Sequence, residues 1–151
     1  MALTTFDPSQ LNIGDTRVLQ TVTGHTLTND STTSATFVDT STAIVITPQK
    51  STSKFLIFIS GLGTTGNGAT TNGIFTISGT TSGNLGSSSQ GLAQVIGNSA
   101  TSFYNQMMIM AADSPGTTAT QTYKVRFYSA GGAAVAWGVG QQVAWTIMEI
   151  G

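Results

Sequence analysis

Apolar residues in this chain come in short runs with a two-residue period, and no segment longer than ten residues repeats them at helical spacing. Successive strand residues point to opposite faces, so this period is that of half-buried β-strands. Residues 122–128 show it most cleanly: Tyr123, Val125 and Phe127 fall on one side, Thr122, Lys124, Arg126 and Tyr128 on the other. Comparable runs occupy residues 17–23, 43–47, 54–60, 73–78, 92–96, 103–110, 133–137 and 143–150. The run at 54–60 is apolar on both faces, which predicts a central strand buried on two sides. Turn formers separate the runs: Thr-Asn-Asp-Ser at 28–31, glycine clusters at 63–73 and 79–91, Ser114-Pro-Gly116 and Gly131-Gly132. About eight to ten short strands with a turn signal every ~8–15 residues predict an all-β chain folded as an antiparallel sandwich of jelly-roll type.

The pattern starts only after Asp15. Residues 1–15 predict an extended N-terminal arm, and residues 16–151 one β-sandwich domain. In the arm Leu3, Phe6, Leu11 and Ile13 are irregularly spaced and Pro8 interrupts any helix. Four large apolar residues need cover, either on the arm's own domain or on a neighbouring subunit, and the second reading makes them candidate interface residues.

Charge narrows function by exclusion. Lys+Arg number 5 and Asp+Glu 6 of 151 residues, so 7% are charged, against about 25% in an average domain. A surface made mainly of hydroxyls and amides repels copies of itself poorly, which predicts a surface covered by sister subunits or by a larger assembly. Lys50, Lys54, Lys124 and Arg126 form no basic stripe, so neither nucleic acid nor an anionic membrane is an expected partner. With 0 Cys there is no disulfide framework and no thiolate metal site. The N-terminus lacks a secretory signal pattern and no apolar run approaches the ~18 residues of a membrane span. Synthesis in a cytoplasm, without export, is the expectation.

Few residues suggest chemistry. Gly61-Leu-Gly63-Thr-Thr-Gly66 fits a dinucleotide-binding spacing. A poor helix start follows it, and no acidic residue lies about 20 positions on, so a flexible loop between strands is the better reading. His25, the single histidine, stands in a turn-like stretch and is the only base around which a triad could form; a solvated histidine is the simpler reading. Asp30, Asp39 and Asp113 are too scattered for a metal cluster, which leaves a Ca²⁺ held between loops as the only metal alternative. No cofactor is expected, and the chain does not read as an enzyme.

Binding surfaces are better represented. The Met107-Met-Ile-Met110 run is the densest adaptable apolar patch. Strand alternation puts Met108 and Met110 on one face, opposite Met107 and Ile109, so one face serves the core and the other a subunit contact. Trp137, flanked by glycine in a turn-rich stretch, is expected to be partly exposed and joins Met108 and Met110 as a candidate interface residue. Trp145 alternates with Val143 and Ile147 and is placed in the core. Glu149, the only Glu, sits in an apolar run and needs a partner if buried; Lys124 or Arg126 could supply it.

Several short motifs in order, Val18-Leu-Gln, Thr36-Phe-Val-Asp-Thr40, Ile44-Val-Ile-Thr-Pro48, Ser53-Lys-Phe-Leu56, Asp113-Ser-Pro, Tyr123-Lys-Val-Arg126 and Thr146-Ile-Met-Glu-Ile150, resemble the jelly-roll domains of bacteriophage virions. These comprise head decoration (cement) proteins and the end domains of tail fibres. The resemblance implies a non-enzymatic virion protein, a homotrimer, and a major capsid protein or other virion protein as partner. A short arm in place of a fibre shaft favours the decoration reading over the tail. The alternative is a tail-fibre module recognising host-surface glycan, with Tyr104, Asn105 and Asp113 as the candidate ligand loop.

Overall fold

The structure, a computed structural model, describes residues 17–66, 71–97 and 101–151. These residues form eleven strands and no helix: β1 (Val18–Leu27), β2 (Asp30–Thr32), β3 (Val38–Ile46), β4 (Lys54–Thr65), β5 (Asn72–Gly79), β6 (Gly83–Asn84), β7 (Ala93–Ile96), β8 (Phe103–Asp113), β9 (Gln121–Ala130), β10 (Val135–Trp137) and β11 (Gln142–Ile150). The chain is an antiparallel β-sandwich, as the alternation predicts. A six-stranded sheet runs β1-β11-β4-β10-β2 with β8 on the other edge of β4; a five-stranded sheet runs β3-β9-β5-β6 with β7 also on β5.

The eight longer strands pair as a folded hairpin, first with last and inward: β1 with β11, β3 with β9, β4 with β8, β5 with β7. Two further pairings, β11 with β4 and β9 with β5, close each half into its sheet. The expected arm at residues 1–15, with Leu3, Phe6, Leu11 and Ile13, lies outside the described residues.

Alternation delivers the core. Phe55, Ile57 and Ile59 of β4, Ile109 of β8 and Ile147 of β11 face Phe75, Ile77, Tyr123, Val125 and Phe127 of the other sheet, all at most 1% exposed. Phe75 stacks on Phe127 with centroids 6.0 Å apart, and Trp137 tilts against Phe75 at 5.6 Å. The expectation for β4 holds on one face only. Its other residues, Leu56, Phe58 and Ser60, are half-buried, because no third layer covers that side among the described residues.

Four expectations are corrected. Gly61 to Thr65 is not a flexible loop but the last part of β4, paired with both β8 and β10. Its glycines make room. A Cβ on Gly61 would stand 2.6 Å from the Trp137 ring, and one on Gly63 2.6 Å from the Met107 methyl. Trp137 is therefore 0% exposed rather than a surface residue, and its indole N–H reaches Thr42 Oγ1 at 3.3 Å. Trp145, on the same sheet, is only half-buried and lies over Gly24 of β1. Two short strands, β2 and β6, replace stretches that read as turns.

Filling the Gly61 gap tests this packing. Gly61→Ala should cost about 1–3 kcal/mol through overpacking against Trp137, read as a fall in urea midpoint with unchanged slope. An unchanged midpoint would mean that the indole is not seated on the Gly61 backbone.

Candidate functional site: an uncharged apolar sheet face

The two outer faces of the sandwich differ sharply. On the five-stranded sheet, Lys124 and Arg126 of β9 each stand 2.8 Å from the Asp39 carboxylate of β3. The segment around β6 lies across β5, with Gly86 N–H donating to Thr76 Oγ1 and Leu92 N–H to Phe75 O. That face is charged in one part and covered in another.

Among the described residues the six-stranded sheet has no such cover on its outer face, and there the charge of β4 is confined to Lys54 at the strand's start. Its register lines up Met110, Phe58, Thr146 and Thr23 across four strands; a second row holds Met108, Ser60, Ala144 and His25, and a third Ala112, Leu56, Met148 and Thr21. No charged side chain occurs in these rows. Met108 and Met110 are 59% and 55% exposed, and Tyr104 further along β8 is 61% exposed. A shallow depression of about 180 Å³ opens between Phe58, Ser60, Met108, Ala144, Trp145 and Thr146. Thioethers beside a phenyl ring make an adaptable contact surface, and a contiguous exposed apolar patch marks an interaction site.

Among the candidate interface residues, Met108 and Met110 fall on this face as alternation predicts, while Met107 and Ile109 point into the core. Trp137 does not join them: it is sealed between the sheets, because β10 is hydrogen-bonded on both sides and lies under Phe75. The candidate ligand loop is not a loop. Tyr104 and Asn105 lie near one end of β8 and Asp113 at the other, about 27 Å away at ~3.4 Å per residue. Asp113 is buried and committed internally, accepting hydrogen bonds from Tyr123 Oη at 2.7 Å, Ser82 Oγ at 2.6 Å and Ser114 N–H at 2.8 Å. Burial, followed by the bond to Asp113, drives the Tyr123 pKa far up, so this hydroxyl stays a donor. His25 stands exposed on β1 rather than in a loop, and no hydrogen bond joins it to a carboxylate among the described residues. No group of three metal-ligating side chains occurs among the described residues. Sequence reasoning missed Leu56, Phe58 and Met148; for Leu56 and Phe58 the apolar second face of residues 54–60 is the signal, read as burial instead of exposure.

The one fully buried glutamate is satisfied without a cation. Glu149, 0% exposed, accepts from the Gln49 backbone N–H at 2.7 Å and from the side chains of Gln20 and Ser53. Burial pushes its pKa up, but the bonds from Ser53, Gln20 and the Gln49 and Lys50 backbone outweigh it and leave the carboxyl below its ordinary 4.5. The expected pairing with Lys124 or Arg126 is corrected, since both serve Asp39 on the opposite sheet. The hydrogen bond from Lys124 foremost holds the Asp39 carboxyl below its usual range.

Neither a protein-family model nor a curated protein matches this chain.

Because the folded state favours ionised Glu149, its stabilising effect is present above pH 4.5 and is lost as pH falls through the lowered folded-state value. Denaturant midpoints should hold steady from neutral pH down to that point and then decline. Glu149→Gln should lose about 2–3 kcal/mol at neutral pH, since its NH₂ would replace an acceptor and face either the Gln20 amide or the Gln49 N–H and Ser53 hydroxyl, and its acid limb should be flatter. Identical pH profiles for the two proteins would rule the carboxylate out as the acid-sensitive group.

Proposed function

We propose that this protein is a non-enzymatic structural protein of a bacteriophage virion: a decoration, or cement, subunit that associates with its own copies and fixes neighbouring capsid subunits from outside. The observation that carries this reading is the set of three charge-free rows on the outer face of β8, β4 and β11, with Met108 and Met110 at its exposed edge. Each 100 Å² of such surface removed from water contributes about 2.5 kcal/mol before the costs of association. Repetition around a particle multiplies a weak single contact through effective concentration.

Two further observations support it. The nested pairing of the eight longer strands favours the jelly-roll reading of this sandwich, an architecture of two Greek keys common in viral coats. The ion pairs of Asp39 with Lys124 and Arg126 lie on the opposite sheet, which makes that face better suited to water than the rows of Met108, Met110 and Phe58. The alternative, a glycan-binding tail module, has less behind it. Asp113 is buried, so of the candidate ligand residues only Tyr104 and Asn105 remain together.

Immunogold labelling of intact particles tests the location. Gold should spread over the head, and particles lacking the protein should lose their contents at a lower temperature. Label on the tail, or undiminished heat resistance in its absence, would end the decoration reading. Met110→Glu should fold normally, as the site is solvent-exposed, yet be washed from particles at least tenfold more readily.

A further inference from the structure

A sheet edge is a row of unpaired N–H and C=O groups, and folded proteins blunt such edges with bulges, charges, proline or shortness. Nearly every edge of this sandwich carries one of these devices. β2, β6 and β7 are three, two and four residues long. β1 has a register shift between Val18 and Gln20. β3 has one between Asp39 and Ala43, and its Asp39 holds the ion pairs.

β8 has none. It runs eleven residues in unbroken register with β4, from Phe55 opposite Asp113 to Thr65 opposite Phe103. It contains no proline, glycine or lysine, and its one charge, Asp113, is engaged by Tyr123 and Ser82 of its own chain. Among the described residues no strand pairs with its second edge. The exposed side chains along it are apolar or amide: Tyr104, Gln106, Met108 and Met110.

The occupant of such an edge must be a strand that is uncharged and alternates apolar residues toward both sheet faces. β8 itself meets that description better than the bulged β1 or β3. We propose that the β8 edges of two copies pair antiparallel about a two-fold axis at Met108, joining two six-stranded sheets into one. In this register Met108 meets its own counterpart, Gln106 meets Met110 and Tyr104 meets Ala112 on the outer face, while Met107 meets Ile109 inside. No like charges are opposed, and an isologous contact of this kind closes without propagating. The symmetry is two-fold, where the resemblance to virion proteins implies three. The inference rests on the decoration reading and deepens it by naming a second copy as partner of the strand edge that borders that face.

With 0 Cys in the sequence, single cysteines read the register directly. Met108→Cys places two thiols face to face, within the ~7 Å Cα limit of a disulfide; Met110→Cys places them four residues out of step, about 14 Å apart. Treated with oxidised glutathione, the Met108→Cys protein should convert to a covalent dimer of twice 15.5 kDa, at least tenfold faster than the Met110→Cys protein. Sedimentation of the unmodified protein should show the same dimer mass, and Met108→Lys should shift it to monomer. A monomeric or trimeric unmodified protein, equal cross-linking of the two cysteine variants, or a Met108→Lys protein that stays dimeric would each overturn the pairing. These readouts use purified protein, so they stand or fall separately from where gold lands on the particle.

Discussion

β4 is the strand on which the architecture depends. It forms hydrogen bonds along both edges, to β11 and then β10 on one side and to β8 along its whole length on the other. Its inner residues, Phe55, Ile57 and Ile59, are inaccessible to solvent. Twelve residues thus hold together three strands distant in sequence and half of the core. Glycine at 61 and 63 lets one end of the strand accept Trp137 and Met107, so a single segment provides aliphatic filler at one end and receptacles at the other.

The same strand explains why one outer face is sticky. A strand that is apolar on both sides needs two layers above it, and only one is supplied within the described chain. Leu56 and Phe58 are left half-covered, and Met108, Met110 and Met148 on the flanking strands extend the patch. Polarity is meanwhile concentrated inward and on the other sheet. Glu149 ties the turn at residues 47–53 to the end of β11, and Asp39 gathers Lys124 and Arg126.

Strand positions were legible wherever alternation was strong, as at Tyr123, Val125 and Phe127, all buried, and at Met108 and Met110, both exposed. Periodicity reports which residues share a face, and this is a local property. It failed where cover comes from far along the chain. Nothing near Trp137 in sequence shows that Phe75 and Gly61 enclose it, and the glycines of residues 61–65 read as a loop because their purpose, clearance for side chains on other strands, is not local. β2 and β6 escaped notice for the same reason, being too short to show a period and held by β10 and β5. The partner of Glu149 was misread because charge invites a search for opposite charge, whereas a carboxylate is equally satisfied by amide and hydroxyl donors.

The position of β11 between β1 and β4 has a kinetic consequence. β1 has no other strand partner among the described residues, so the first strand waits for the last before it can join a sheet. Bringing Val18 to Ile150 means closing nearly the full length of the domain, and loops of that span make for folding in milliseconds to seconds rather than microseconds. On a ribosome, β4, β8, β5 and β9 can assemble while β1 stands unpaired beside them, and the open flank of β4 is sealed only when β11 slides in. The molecule is therefore most exposed to misassembly just before its final strand arrives.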